Sequence, residues 1–504
     1  MLAKCLVAGK NWSMTANAST EQLFEVDMGK AQAPRPAAPA GDAKTFRRYD
    51  QNQCFLLPPS LDEWLPEDHE ARFVSEVVEN LLDLSPIYAS YACAAGAPPY
   101  HPKMMLKLLM FAYATGVTSS RELERRCFLD VAFRWLSANE APDYRSISRF
   151  RRRHLAALED LFTQVLQLCA KAGLVRLGRV ALDGTKLDAN ASKHKAMSYD
   201  HIVPKIEQLE GEVKSLLEEA ERADQAEDEA FGCDRRGDEL SAELSRRESR
   251  LEKLRAAKEA IENEAREKAA TAARKKAEAA GTSEEEVDAA VKEAAARAKP
   301  KPSAQRSFTD PEARMMKTNH GFDYAYNAQA VVDEKSQVIL AAEVTDEATD
   351  INQLVPMIEK TEENLAAAGI EDTPDTYLAD AGYCSEDNLE ATEDLESEVL
   401  AATGRQRHGE QFPKAPRGPI PKNATRREQM ARRLRTKKGR ADYARRKAIV
   451  EPAFGQMKVR QHAGQLRLRG KDGAQGEWTL HAICHNMRKL MGVRSALGLG
   501  LATA

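Results

Sequence analysis

Residues 179–185 read RVALDGT and residues 375–380 read DTYLAD. Each is a short apolar run that stops at an acid, Asp183 in the first and Asp380 in the second. A run of this length, bounded by turn residues, predicts a buried strand. An acid at the strand's end can face a cleft while the strand itself stays in the core. Small residues follow both acids, Gly184 in one case and Ala381-Gly382 in the other, leaving room for a phosphate and an ion beside the backbone.

Working outward from DTYLAD, strands are expected at 322–332 (FDYAYNAQAVV), 337–345 (QVILAAEVT) and 398–404 (EVLAATG), and helices at 350–368 and over SEDNLEATEDLE. A long basic helix carrying Glu451 closes the series. A hairpin, a strand reached by a helical crossover and a terminal helix imply a mixed α/β sheet. The order is that of a ribonuclease-H-like catalytic domain, spanning 176–200 and 305–495, once the residues between are set aside. Those residues differ in kind: 45 of the 100 positions from 201 to 300 are charged. Ile206, Leu209, Val213 and Leu216 form one stripe, and Leu244, Leu251, Leu254 and Ile261 another. Residues 201–304 are therefore expected to be a helical insertion, a coiled-coil hairpin turning at FGCDRRGD (231–238). An Ala-rich helical tail follows to Ala298, before Pro300 and Pro302.

Upstream, 45–175 predicts an all-α domain. One helix runs through KMMLKLLMFAYATG to Gly116, and the next opens on a capping box, Ser119-x-x-Glu122, and continues through RELERRCFLDVAFRWLS. A third starts near Ser146 and runs through SRFRRRHLAALEDLFTQVLQLCAKAG. Residues 1–44, ending in AQAPRPAAPAGDAK, are expected to be a disordered tail, and 496–504 a flexible C-terminus.

The length of 504 residues allows two to four domains. A net charge of -4 hides strong segregation along the chain. The 8 cysteines show no CxxC spacing, which fits reduced thiols in the cytoplasm. No apolar run reaches 18 residues and the apolar stretch at the start is too short for a secretory signal, so a soluble cytoplasmic protein without a membrane span is expected.

Glu451 lies in YARRKAIVEPAFGQMK, with Lys458 two helical turns further on. Asp183, Asp380 and Glu451 are carboxylates without a His or Cys partner, a donor set for hard divalent ions such as Mg²⁺ or Mn²⁺ and not for zinc. Two such ions can stabilise the attacking and leaving oxygens of a phosphodiester reaction together. Among 78 acids, spacing alone does not single these three out. The surrounding text does.

VALDGTKLDANASKHKAMSY, TDPEARMMKTNHGFDYAYNAQAVVD, YLADAGYCS, AATGRQRH, YARRKAIVEPAFGQMK and EWTLHAICHNMRKL, in this order, resemble the insertion-sequence transposases of the DDE class. The likeness runs from about Thr45 to about Met491. It implies that Asp183, Asp380 and Glu451 are the three catalytic, metal-binding acids. Tyr443-x2-Arg446-x4-Glu451-x6-Lys458 is similar to the family's Tyr-Arg-Glu-Lys signature, with four residues between Arg and Glu where the wider superfamily has three. Transposon-end cleavage and transfer of the freed 3′ hydroxyl to target DNA follow from the resemblance. Two alternatives remain open at this point: a non-catalytic DNA-binding descendant, and a nuclease that cuts without joining.

Residues 414–447 hold 14 Lys or Arg against two acids, immediately before Glu451. With RSISRFRRRH (145–154) they are the candidate contacts to double-stranded DNA, the terminal repeats and the target. The residues singled out are Arg149, Arg151, Arg152, Arg153, Arg432, Arg433, Lys437, Lys438, Tyr443, Arg446 and Lys458. A homodimer on DNA is the expected assembly. His481 and His485, at helical i, i+4 spacing, are expected to pack rather than to bind metal.

Overall fold

Apolar residues at three- and four-residue steps bury one face of the first helices. The computed structural model describes residues 60–91, 98–192, 196–231, 242–318, 321–404, 418–421 and 423–494. The expected tails at 1–44 and 496–504, and the turn around Gly232 and Gly237, lie outside the described residues. Helix α1 (Leu61–Trp64) leads to α2 (Glu70–Asn80), which buries Ala71, Phe73, Val74, Val77 and Val78. After the short α3 (Ser85–Ala89), α4 (Pro102–Ala114) is apolar nearly all round and sits in the core. It stops before Gly116, whose φ of +81° is left-handed and whose added Cβ would stand 2.7 Å from the Arg460 carbonyl.

Two of the three expected helices are broken in two. Asp130 is extended, and its carboxylate accepts from Ala132 N, so that it separates α5 (Ser120–Leu129) from α6 (Val131–Leu136). Ser119 does not cap α5 with its side chain; Glu122 binds Arg125 and Arg126 instead. His154 divides α7 (Tyr144–Arg153) from α8 (Leu155–Lys171).

Strand β1 (Arg179–Asp188) follows, then β2 (Ala196–Ser198), α9 (Tyr199–Phe231), α10 (Ala242–Ala279), α11 (Glu284–Arg297) and β3 (Gln305–Ser307). β2 and β3 pair antiparallel, so the two ends of the helical segment are tied together. Ile202, Ile206 and Leu209 of α9 pack on Leu251, Leu254, Ala257 and Ile261 of α10. Glu210 with Arg255 (2.7 Å) and Tyr199 with Glu262 (2.7 Å) show the two helices to be antiparallel. The Ala-rich tail is not continuous with α10: Gly281 has φ +68°, and a Ser283/Glu286 capping box starts α11.

The remaining strands are β4 (Arg314–Thr318), β5 (Gly321–Asp333), β6 (Ile339–Thr345), β7 (Thr376–Ala379) and β8 (Glu398–Ala401). With β1 they make a six-stranded sheet of order β4-β5-β1-β7-β8, β6 also pairing with β5. β5 is antiparallel to β1, β4 and β6, whereas β1, β7 and β8 are parallel. Parallel neighbours need crossovers; α12 (Leu354–Ala367) precedes β7 and α13 (Glu386–Ala391) joins β7 to β8.

The expected long basic helix is three helices. α14 (Arg426–Arg435) and α15 (Lys437–Ala444) are separated by Thr436, which is extended and caps α15, and α16 (Arg446–Arg460) starts after Arg445. Finally α17 (Lys471–Met491) is buried along most of its length. Its Asn486 side chain bonds both backbone groups of Ile339 at 2.8 Å, and its Trp478 donates to the Gln329 carbonyl at 2.9 Å. On its other side it packs on α4 and α8, so one continuous core runs from the helices into the sheet.

Candidate active site

The β1–β7 register fixes the two aspartates. Arg179 pairs with Thr376, Val180 with Tyr377 and Ala181 with Leu378. Two residues further along each chain, Asp183 comes level with Asp380. The sequence expectation needs correcting here, because Asp183 is not at a strand end. β1 continues to Asp188, held by β5 through pairs from Asp183–Ala330 to Asp188–Ala325. Only β7 stops, at Ala379, leaving Asp380 in the turn beyond it. Asp183 is thus reachable because its parallel neighbour ends, not because its own strand does.

Helix α16 brings the third element. Arg179 of β1 binds Asp442 of α15 at 2.8 Å, which fixes the approach of the following residues. Arg446 then places Nη1 2.8 Å from Asp183 Oδ2, and Tyr443, one turn earlier, lies close enough to feel the same guanidinium charge. Burial pushes the Asp183 carboxyl above the usual carboxylate range; Arg446 opposes this and Asp380 adds to it. Burial likewise pushes Tyr443 up.

Glu451 is exposed, and among the described residues its side chain makes no hydrogen bond or ion pair. Five residues from Arg446, it stands about 140° round the helix and about 7 Å along it. Lys458 shares its flank and is half-buried; burial lowers its proton affinity against the pull of Asp188. The structure therefore gathers Asp183, Asp380, Arg446 and Tyr443 but does not bring Glu451 or Lys458 to them, both lying on a different flank of α16. Among the described residues no three of His, Cys, Asp or Glu form a set arranged for a metal ion. The oxygen-only donors of Asp183 and Asp380 still fit a hard cation by type.

A fourth acid escaped the sequence reading. Asp350 Oδ1 accepts from Asn327 (2.7 Å) and Gln329 (2.9 Å), with Lys186 Nζ at 3.4 Å. Across the β1–β5 ladder Gly184 pairs with Gln329 and Lys186 with Asn327, so these four share a face. Tyr383 donates its hydroxyl to Gln329 Oε1. A Cβ on Gly184 would stand 2.5 Å from Gln329 Nε2 and 2.8 Å from Asp350 Oδ1; one on Gly382 would stand 2.9 Å from Asp380 Oδ1 and 3.3 Å from Asp350 Oδ2. Burial lowers the Lys186 pKa, while Asp350, Asp380 and Asp183 all raise it. No local pattern in TDEATDIN marks Asp350; only the pairing of β5 with β1 reveals it.

The basic residues divide. Arg149, Arg152 and Arg153 are exposed on α7, Arg153 lying over the Tyr91 ring at 4.5 Å. Arg151 is not available to DNA: it is buried, and its Nη1 donates to Tyr113 Oη (2.5 Å) and the Thr118 carbonyl (3.0 Å). Arg446, an expected phosphate contact, is instead occupied by Asp183. Arg432 donates to the Gly418 carbonyl, and Arg433 and Lys438 lie 3.9 and 3.4 Å from Glu398. Lys437 is exposed and unpaired among the described residues. His481 and His485 are buried, His485 Nε2 lying 2.7 Å from the Gln337 carbonyl.

Two family models match the chain. A transposase domain (DUF772) covers residues 59–153, and a transposase DDE domain covers 297–487. Asp380 and Glu451 fall inside the second match, while Asp183 precedes it, on the other side of α9–α11. No curated protein and no solved structure matches the chain. The DDE domain implies a ribonuclease-H-like fold, with which the mixed sheet agrees. With the two transposase domains in succession over more than half its length, the chain belongs to the DDE transposases of insertion sequences.

Proposed function

We propose that this transposase binds the ends of its own element as double-stranded DNA, cleaves them, and joins the freed 3′ hydroxyls to target DNA at a site built on Asp183, Asp380 and Glu451. The observation that carries this reading is the register: two carboxylates stand level on neighbouring parallel strands, where one strand ends and the other continues. Asp183 and Asp380 would hold Mg²⁺ or Mn²⁺, two ions being expected, with Glu451 supplied from α16. The ions would activate the attacking oxygen and stabilise the leaving one. Arg446 neutralises Asp183 in the present state and, with Lys458, supplies cationic donors suited to phosphate oxygens. Tyr443, beside Arg446, would join it in contacting the DNA. Exposed arginines of α7 and the cations of α14 and α15 would grip the DNA backbone.

Helices α9–α11 would act as an arm beside the cleft, and a homodimer would hold two DNA ends. Among the described residues no helix is long and apolar enough to cross a membrane. A cytoplasmic, nucleoid-associated location suits the proposed substrate. The test is incubation of the purified chain with Mg²⁺ and labelled duplexes carrying its element's ends. Cleavage and joined products are expected, both lost in Asp380→Ala. Cleavage that survives in that variant would refute the site, and cleavage without joining would make the protein a nuclease.

A further inference from the structure

The Lys186–Asp350 pair on the Gly184 face of β1 stands outside the three expected acids. Asp350 Oδ1 is fixed by two amide donors, Asn327 and Gln329, both on β5. Asn327 also donates to the Glu347 carbonyl, so the loop carrying Asp350 is fastened to the sheet at two points. The carboxylate fills the space beside Gly184 and Gly382 that any Cβ would take. It therefore packs directly beneath the turn that presents Asp380. Its remaining neighbour is the Lys186 ammonium, which also feels the charges of Asp183 and Asp380.

We propose that Asp350 is a positioning residue that holds Lys186 back from Asp380, leaving that carboxylate to a divalent ion. The physical reason is competition. An ammonium on a flexible stem goes to the nearest uncompensated carboxylate, and Asp350 is the one held rigid by two other donors. Without its charge, Lys186 has Asp380 left to turn to, a proposed ion ligand, since Asp183 is paired with Arg446 and alternates to the other face of β1. Bound there, it would occupy the place of a cation. The inference rests on the proposed reading of Asp183 and Asp380 as ion ligands.

Mn²⁺ binding to the full-length protein, followed by the paramagnetic resonance of the free ion, tests it without reference to activity. Asp350→Asn keeps the shape and removes the charge, and should weaken Mn²⁺ binding about tenfold, as outer-shell substitutions commonly do. Adding Lys186→Met to that variant should restore binding to near the wild-type level, which a merely structural role would not allow. Lys186→Met alone should bind Mn²⁺ at least as tightly as wild type, a result independent of how well Asp350→Asn folds. Gly184→Ala, by pressing on Asp350 and Gln329, should imitate Asp350→Asn. Unchanged binding in Asp350→Asn, or a loss that persists in the double variant, overturns the proposal. If Asp380→Asn also leaves Mn²⁺ binding unchanged, the reading of the carboxylate site falls with it; if Asp380→Asn abolishes binding, only the role of Asp350 falls.

Discussion

Arg151 and Arg446 both sit in basic stretches, both are buried, and both meet a tyrosine and an acid. At Arg151 the guanidinium bonds Tyr113, and Tyr113 donates to Glu477 Oε1 at 2.8 Å. Glu477 gives its other oxygen to the backbone N–H groups of Arg467 and Leu468, at 2.7 and 2.9 Å. One cation faces one anion, so the set is closed in charge, although Arg151 Nε is buried without a hydrogen-bond partner. At Arg446 the guanidinium bonds Asp183, but Asp380 and Asp350 stand close by with, among the described residues, only Lys186 as a further cation. Three carboxylates face two cations there. The first set fastens α4, α7 and α17 together; the second keeps an unbalanced negative charge beside a cleft, which a fold does not need and a divalent ion would offset.

Substitutions should separate the two sets. The largest effect is expected at the open one: Asp183→Asn or Asp380→Asn should lower end cleavage on the order of 10³-fold, about 4 kcal/mol in the barrier, with little change in melting temperature. Arg151→Met should do the reverse, costing about 3–5 kcal/mol of stability in denaturant unfolding because it strands Glu477. Activity per folded molecule should persist. An unmoved unfolding midpoint would show that Arg151 is no fastening.

Arg446→Lys should reduce cleavage roughly 10- to 100-fold while the fold holds, since an ammonium lacks the planar fork that Arg446 presents to Asp183. Equal losses of stability and activity would instead place Arg446 with Arg151. Acid should act on the closed region first. Burial lowers His481 to about 3 and His485 to about 4 from 6.5. Below pH 6.5 the unfolded chain takes up protons that the folded chain refuses, so stability falls from there down to about pH 4 for His485 and about pH 3 for His481. The slope is roughly 1.4 kcal/mol per pH unit for each histidine, and His485→Gln should flatten it. Smallest of all, Lys437→Ala should weaken DNA binding evenly across sequences and reduce its salt slope by about one.

Legibility in the sequence followed burial. β5 to β8 and α12 announced themselves as apolar runs between turn residues, because there the core dictates the residue types. The far half of β1 did not: GTKLD is mostly polar, and it is a strand because β5 pairs with it to the end. Helix breaks at Asp130 and His154 were hidden for a similar reason, since neither residue forbids a helix. Arg151 could have been found. Ile147, Phe150, Arg151 and His154 recur at i, i+3, i+4 and i+7, and all four are buried, so the spacing marked the face and only the charge misled. Asp350 left no such trace, lying in a loop of several acids and reaching the site only through Asn327 and Gln329. Glu451 was named from its motif, and its flank of α16, shared with Lys458, was legible from helical spacing alone.

The site's composition can be mapped by letting bound Fe²⁺, in place of Mg²⁺, generate hydroxyl radicals that cut the backbone near the ion. Cuts are expected in three separate segments, around Asp183, Asp380 and Glu451, and should disappear when excess Mg²⁺ competes. Cuts confined to other segments, or none near Asp183 and Asp380, would contradict the account.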